Sequence, residues 1–114
     1  MPLTFQAVNR YKSMWLYVMF DLPTNTKKQR KSAFDFRKSL VRDGFVMMQF
    51  SVYIRNCASN ENAQVHIKRI KNIVPAEGIV SILKITDRQF GETVTFVGKK
   101  STPSPPPATQ LELF

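Results

Sequence analysis

One carboxylate stands where chemistry would be expected. Seven apolar residues, Met14 through Phe20, run without a break into Asp21, and Pro23 stops the run. A single acid carried to the end of a buried strand is a candidate ligand for a divalent cation. It is equally a candidate to close the strand by accepting hydrogen bonds from the turn behind it. The next segment is basic: between Lys27 and Arg42 there are seven Lys or Arg residues against one acid, Asp35. A lone acid beside a cationic segment suits a protein that meets phosphates, either directly or through a metal such as Mg²⁺.

The elements that must position these groups emerge from the pattern. The apolar run predicts a strand over Met14–Asp21, buried on both faces until the acid. Leu22-Pro23-Thr24-Asn25 reads as a turn, with Thr26 placed to cap a helix from about Lys27 to Asp43 that stops at Gly44. At about 100° per residue, Ala33, Phe36 and Leu40 share one face of that helix. Lys27, Lys28, Lys31, Lys38 and Arg42 fall together on the opposite side. Such a stripe is either an ordinary solvated face or a phosphate contact, and solvated faces normally mix signs, which this one does not. Phe34 and Val41 lie between the two faces, either widening the core stripe or meeting a protein partner.

Phe45 to Arg55 is rich in β-formers and reads either as one bent strand or as two short ones meeting near Gln49–Ser51. A second helix is signalled by Ser59 or Asn60 as its cap and by Ala63, Ile67, Ile70 and Val74 at helical spacing. His66, the only histidine, sits among Val65 and Ile67 as a surface or core-edge residue. Pro75-Ala76-Glu77-Gly78 turns the chain into a strand over Ile79–Thr86, and a shorter one is expected over Thr93–Val97. The resulting domain spans residues 14–98, after an N-terminal arm of residues 1–13. Residues 99–114 form a Pro-rich tail, expected to be extended, that ends in Leu111-Glu112-Leu113-Phe114. Leu111, Leu113 and Phe114 are either a fraying end or a short docking peptide.

Composition narrows the class of partner. The chain has 114 residues and a formal charge of +9, which favours a polyanion and above all nucleic acid. A membrane surface is the weaker alternative, since no segment approaches the ~18 apolar residues of a spanning helix. Cys57 is the only cysteine, so an intrachain disulfide is excluded and a cysteine metal site nearly so. With no secretory signal pattern at the N-terminus, a cytoplasmic setting is expected.

The order strand, helix, strand or strands, helix, strand, strand is that of an α+β, ferredoxin-like βαββαβ sandwich with an additional C-terminal strand. Both helices would cover one sheet face. The other would carry Trp15, Tyr17 and Met19, a large apolar patch for which no third layer is evident in the chain. A homodimer packed through its sheet faces is the expected cover, and it would bring two copies of Asp21 near the twofold axis.

At this point the residues resemble a known family. Phe20-Asp21-Leu22-Pro23, Phe36-Arg37-Lys38 with Leu40, Asp43-Gly44-Phe45, Gln49-Phe50-Ser51-Val52-Tyr53, Pro75 with Glu77-Gly78, and Ile85-Thr86-Asp87-Arg88-Gln89-Phe90 follow one another in the order of CRISPR-associated protein two. The ending Gln110-Leu111-Glu112-Leu113-Phe114 is similar to that of some type II members. The resemblance covers about residues 14 to 98. It implies a small subunit of spacer acquisition in antiviral defence: a homodimer that holds double-stranded protospacer DNA on its basic surface and bridges integrase dimers. It also implies, as the alternative, a Mg²⁺-dependent endonuclease acting on RNA or DNA. The family's metal-linked acid corresponds to Asp21, the arginine of its first helix to Arg37, and its Ser-Val-aromatic motif to Ser51-Val52-Tyr53, with tyrosine where many relatives carry phenylalanine.

Bridging asks for cations at phosphate spacing, which Lys27, Lys28, Lys31, Arg37, Lys38 and Arg42 would supply, doubled in a dimer. Hydrolysis asks for more. Mg²⁺ takes one or two carboxylates, and one protomer offers only Asp21 near the expected site, so a catalytic metal would be weak and shared between protomers. Ser51 would bond either backbone or substrate. No aromatic stacking pattern is evident, so contact with the nucleic-acid backbone rather than base readout is expected.

Overall fold

Alternation along the first strand sets the layering. In the computed structural model, which describes residues 13–102, β1 spans Met14–Asp21. Its even-numbered residues Leu16, Val18 and Phe20 are buried, while Trp15, Tyr17 and Met19 are half-buried on the other face and Asp21 is exposed. The strand that ends in the acid is central. It pairs antiparallel with β3 (Val52–Cys57) on one side and β4 (Ile79–Thr86) on the other. With β2 (Val46–Gln49) beyond β3, the sheet order is β2-β3-β1-β4.

Helices α1 (Lys27–Arg42) and α2 (Asn60–Lys71) supply the layer over the even-numbered face. From α1 come Ala33, Phe36 and Leu40, and from α2 Ala63 and Ile70, all buried with Leu16, Val18, Phe20, Phe45, Tyr53 and Cys57. Each large side chain so buried contributes about 1.5–3 kcal/mol relative to exposure. The Phe36 ring meets Phe20 edge-on at 5.2 Å, a favoured aromatic geometry. The βαββαβ order of an α+β, four-stranded antiparallel fold is as the sequence implies.

Local signals account for the helix ends. Thr26 accepts from the Gln29 backbone N–H at 3.1 Å, and the Gln29 side chain accepts in return from the Thr26 N–H at 3.0 Å. This reciprocal cap satisfies two otherwise orphaned donors. At the other end Gly44 adopts φ +87° beyond the Asp43 cap, the left-handed conformation that only glycine takes without cost. Ser59 caps α2 by accepting from the Asn62 N–H. Because α2 ends at Lys71, Val74 lies beyond it and is exposed.

The Phe45–Arg55 stretch is two strands. They meet at a tight turn over Phe50-Ser51, and the register between β2 and β3 shifts around Met48. No non-glycine residue among those described has a positive φ, so the turn is not one of the primed types that match strand twist. The bulge supplies the local twist instead.

The open sheet face is less bare than the sequence implies. A short helix, α3 (Asp87–Gly91), follows β4, capped by Thr86 with Gln89 in the same reciprocal manner as Thr26 with Gln29. It lays Phe90 flat on Trp15, with ring centroids 3.7 Å apart. Asp87 accepts from the Trp15 indole N–H at 2.7 Å, and the Tyr17 hydroxyl bonds the Thr93 hydroxyl at 3.0 Å. Part of the cover expected from a second protomer thus comes from the chain itself. Ile79 and Leu83 on the same face stay exposed.

The additional C-terminal strand is β5 (Thr95–Val97), shorter than the expected Thr93–Val97. It pairs with β6 (Lys100–Thr102) as a separate hairpin rather than with the four-stranded sheet. The reading of residues 1–12 as an arm, and of Leu111, Leu113 and Phe114 as a docking peptide, falls outside the described residues. No helix among the described residues is long and apolar enough to cross a membrane.

Candidate nucleic-acid interface

Helix α1 carries the candidate interface on its outer side. Lys27, Lys28, Lys31, Lys38 and Arg42 are all exposed, opposite the buried Ala33, Phe36 and Leu40. Lys31 pairs with Asp35 at 3.0 Å, an exposed contact of at most ~0.5 kcal/mol. Among the described residues, Lys27, Lys28, Lys38 and Arg42 make no ion pair. The first turn of α1 carries no acid. Lys27 and Lys28 therefore oppose the positive end of the helix dipole, each at a cost of about 0.3–1 kcal/mol at most. Helix stability does not explain their position.

The cationic surface continues onto α2, whose last turn holds Lys68, Arg69 and Lys71. Two shallow depressions lie along the helix layer, of about 310 and 230 Å³. Lys28, Lys31 and Asp35 line the first and Arg42, Asp43 and Arg69 the second, and the two share Ser39 and Ile73. Sequence reasoning misses the contribution of α2, although its three basic residues stand close together in the chain.

Arg37 stands apart from the stripe. Its guanidinium lies 4.1 Å from the Phe50 ring centroid and 5.3 Å from that of Phe20, and its Nε donates to the Phe50 carbonyl at 3.4 Å. The β2–β3 turn is in turn tied to β1, because the Phe20 backbone N–H donates to the Ser51 carbonyl at 3.1 Å. Arg37, Phe50, Ser51 and the end of β1 are thereby gathered at one end of the sheet. Tyr53, buried behind them, has its phenol pKa pushed up by desolvation, partly opposed by the Arg37 charge.

Asp21 lies at the same end but on the open face, the side of β1 opposite to Phe20, and is paired with Ile79 of β4. It is exposed, and its carboxylate has no hydrogen-bond or ion-pair partner within the described residues. The turn-closing bonds considered as its alternative role are not made. Below it Gly78, with φ +100°, packs so tightly that a Cβ there would lie 2.7 Å from the Asp21 carbonyl oxygen. Among the described residues no three His, Cys, Asp or Glu side chains converge on a possible metal. At this end of β1, among the described residues, one protomer offers a cation a single free carboxylate.

Asp43 and Asp87 are engaged elsewhere. Asp43, at the end of α1, bonds His66 Nδ1 and Arg69 Nη1, each at 2.7 Å, and its carbonyl accepts from Arg55 Nε at 2.9 Å. Burial pushes its carboxyl up, but the bonds and charges of His66 and Arg69 more than offset this and hold it below its ordinary value. His66 is only 3% exposed, a core residue rather than a surface one. Its spacing between Ala63 and Ile70 is the signal for that. Asp87 is engaged by Trp15. Burial raises the Cys57 thiol pKa, which keeps it protonated and a poor nucleophile.

Comparison with known proteins identifies the family. Residues 14–93 match the family described as CRISPR associated protein Cas2. The chain is 54% identical over 110 residues to a protein named CRISPR-associated endoribonuclease Cas2 from Flavobacterium psychrophilum, covering 96% of each. It is 56% identical over 101 residues to one of the same name from Parvibaculum lavamentivorans, covering 89% of this chain and all of the other. A third of that name, from Paracidovorax avenae, is 40% identical over 104 residues, covering 91% of this chain and 96% of the relative. With a match over most of the described fold and relatives alike along nearly their whole length, the chain belongs to the CRISPR-associated protein Cas2 family.

Proposed function

We propose that this protein is a type II adaptation subunit whose homodimer holds double-stranded DNA on the outer faces of α1 and α2 and bridges integrase subunits during spacer acquisition in the cytoplasm. The observation that carries the DNA-binding part is the α1 stripe: Lys27, Lys28, Lys38 and Arg42 are exposed, of one sign, and without ion pairs among the described residues. Such a surface binds phosphates regardless of sequence. Dimerisation through the open sheet face is supported by Ile79 and Leu83, 67% and 48% exposed beside the half-buried Met19. The apolar residues Leu111, Leu113 and Phe114 are assigned to the integrase contact.

A second reading is favoured by the free carboxylate of Asp21 and by the names of the relatives. It is a Mg²⁺-dependent endoribonuclease or DNase in which Asp21 from each protomer holds the ion. The donor set fits Mg²⁺, which takes one or two carboxylates and keeps waters for the rest. Bound there, the ion would neutralise phosphoryl charge and lower the pKa of a water. Arg37 would orient the phosphate, and Ser51 would bond substrate.

Cleavage of RNA and duplex DNA with and without Mg²⁺, for the wild type and Asp21→Ala, separates the two readings when duplex binding is recorded on the same samples. Salt-sensitive duplex binding without cleavage in either protein is the expected result for a bridge. Metal-dependent cleavage that disappears in Asp21→Ala would make the protein a nuclease.

A further inference from the structure

We propose that residues 111–114 dock on the outer face of the chain's own helix α1, Leu111 against Val41, Phe114 against Phe34 and Glu112 at Lys38, so that this segment and a DNA phosphate exclude each other there. The contact stands on its own observations, and only its consequence for DNA rests on the nucleic-acid reading above.

Two large apolar side chains are out of place on this helix. Phe34 and Val41 are 61% and 57% exposed, so they do not widen the core stripe. At about 100° per residue they fall within about 20° of each other, beside Lys27 and Lys38 and about 100° or more from Leu40. On their other flank Arg30 donates to the Thr24 and Asn25 carbonyls and Arg37 to that of Phe50. Lys27 and Lys38, by contrast, make no ion pair among the described residues. An apolar strip thus adjoins a row of unspent cations. A phosphodiester backbone uses the cations alone. A short segment with apolar residues on both sides of an acid uses both, burying the Phe34 ring and the Val41 methyls while pairing a lysine.

The chain carries such a segment. Residues 99–114 hold one acid, Glu112, and it lies between Leu111 and Leu113-Phe114. The spacings agree. Seven residues of α-helix separate Phe34 from Val41 by about 10.5 Å. In the polyproline conformation that a Pro-rich segment favours, residues three apart share a side and lie about 9.3 Å apart. Leu111 and Phe114 are such a pair. With Leu111 on Val41, Glu112 lies about 3 Å along towards Phe34 and Lys38 about 4.5 Å along, so acid meets cation. The nine residues from Thr102 to Leu111 reach about 28 Å, more than the ~24 Å length of α1 itself. Leu111, Leu113 and Phe114 are also the residues assigned above to the integrase. A segment taken up by the integrase therefore leaves Lys38 to the DNA.

The test is made on the full chain in two parts. Cys57, the one native cysteine, is buried, so a Val41→Cys/Leu111→Cys variant can be oxidised in dilute solution and run on a non-reducing gel. The expected result is a fast-migrating, internally cross-linked monomer, formed far more readily than in Val65→Cys/Leu111→Cys, whose first position is exposed on α2. Equal cross-linking of the two variants overturns the docking, and so does a gel showing only cross-linked dimers, which would make a second copy the donor of the segment. The second part is anisotropy of a labelled duplex with wild type, Phe34→Ser and Leu111→Ser/Phe114→Ser. If the segment covers α1 in about two-thirds of molecules, freeing it raises apparent duplex affinity about threefold. Each variant should show that gain, and combining them should add nothing further, since both break one contact. Unchanged duplex affinity overturns the mutual exclusion. A complete lack of duplex binding in all the proteins overturns the nucleic-acid reading and the exclusion with it, while the cross-link decides the docking by itself.

Discussion

The Nδ1 of His66 lies 2.7 Å from a carboxylate oxygen of Asp43, and that bond fastens the middle of α2 to the C-terminal end of α1. Arg69 holds the other carboxylate oxygen at the same distance. Asp43→Asn should leave the buried His66 with a mismatched partner and Arg69 without its counter-charge. A loss of about 2–3 kcal/mol is expected, read as a lower midpoint in urea. Lys31→Ala, which breaks only an exposed pair, should cost less than ~0.5 kcal/mol.

The same contact sets a pH dependence. Asp43 binds its proton less readily folded than unfolded, so its contribution to stability is complete above the unfolded carboxylate value, about pH 4, and is lost as pH falls through the lower folded value. Denaturation midpoints measured from neutral pH downward should fall in that acid range. The fall should be shallower in Asp43→Asn, which has no such group to protonate.

Duplex affinity should fall steeply with salt. If a dimer neutralises about six phosphates, the slope of log affinity against log salt is about −5. Lys38→Ala removes an exposed side chain with no ion pair among the described residues. It should reduce the slope by about one for each phosphate that Lys38 neutralises and weaken all sequences alike. Lys38→Glu should weaken binding further while the thermal midpoint stays within a few degrees.

Gly78→Ala should destabilise through backbone. The residue has φ +100°, and an added Cβ would sit 2.7 Å from the Asp21 carbonyl oxygen and 2.8 Å from a Leu22 methyl. The strain and the clash together should cost about 2 kcal/mol. Because the displaced oxygen belongs to Asp21, any metal-dependent cleavage should decline in this variant even at temperatures where it stays folded.

The parts of the fold legible in the sequence are those set by local rules. The first strand, the Thr26 cap and the Gly44 stop can be read because period, capping and positive φ act within a few residues. The break at Phe50-Ser51 carries no glycine, proline or asparagine, so the turn leaves no signature and the stretch is ambiguous. Helix α3 does leave one, Thr86 with Gln89 three residues on, but it is a single turn and too short for periodicity to reveal. The Asp43–His66 bond spans 23 residues and depends on how two helices pack, which no local pattern encodes. Likewise, the wheel separates Arg37 from the stripe without showing that it lies against Phe50 from the next hairpin.

The chain has one tryptophan, and it is the residue over which Phe90 lies flat and whose indole N–H is held by Asp87. Its emission is therefore a built-in optical gauge of the open sheet face. Lifting α3 away would remove both the stacked ring and the carboxylate, shifting colour and polarisation without any attached dye. Anything that settles on that face, a second copy of the chain included, must announce itself through the same indole.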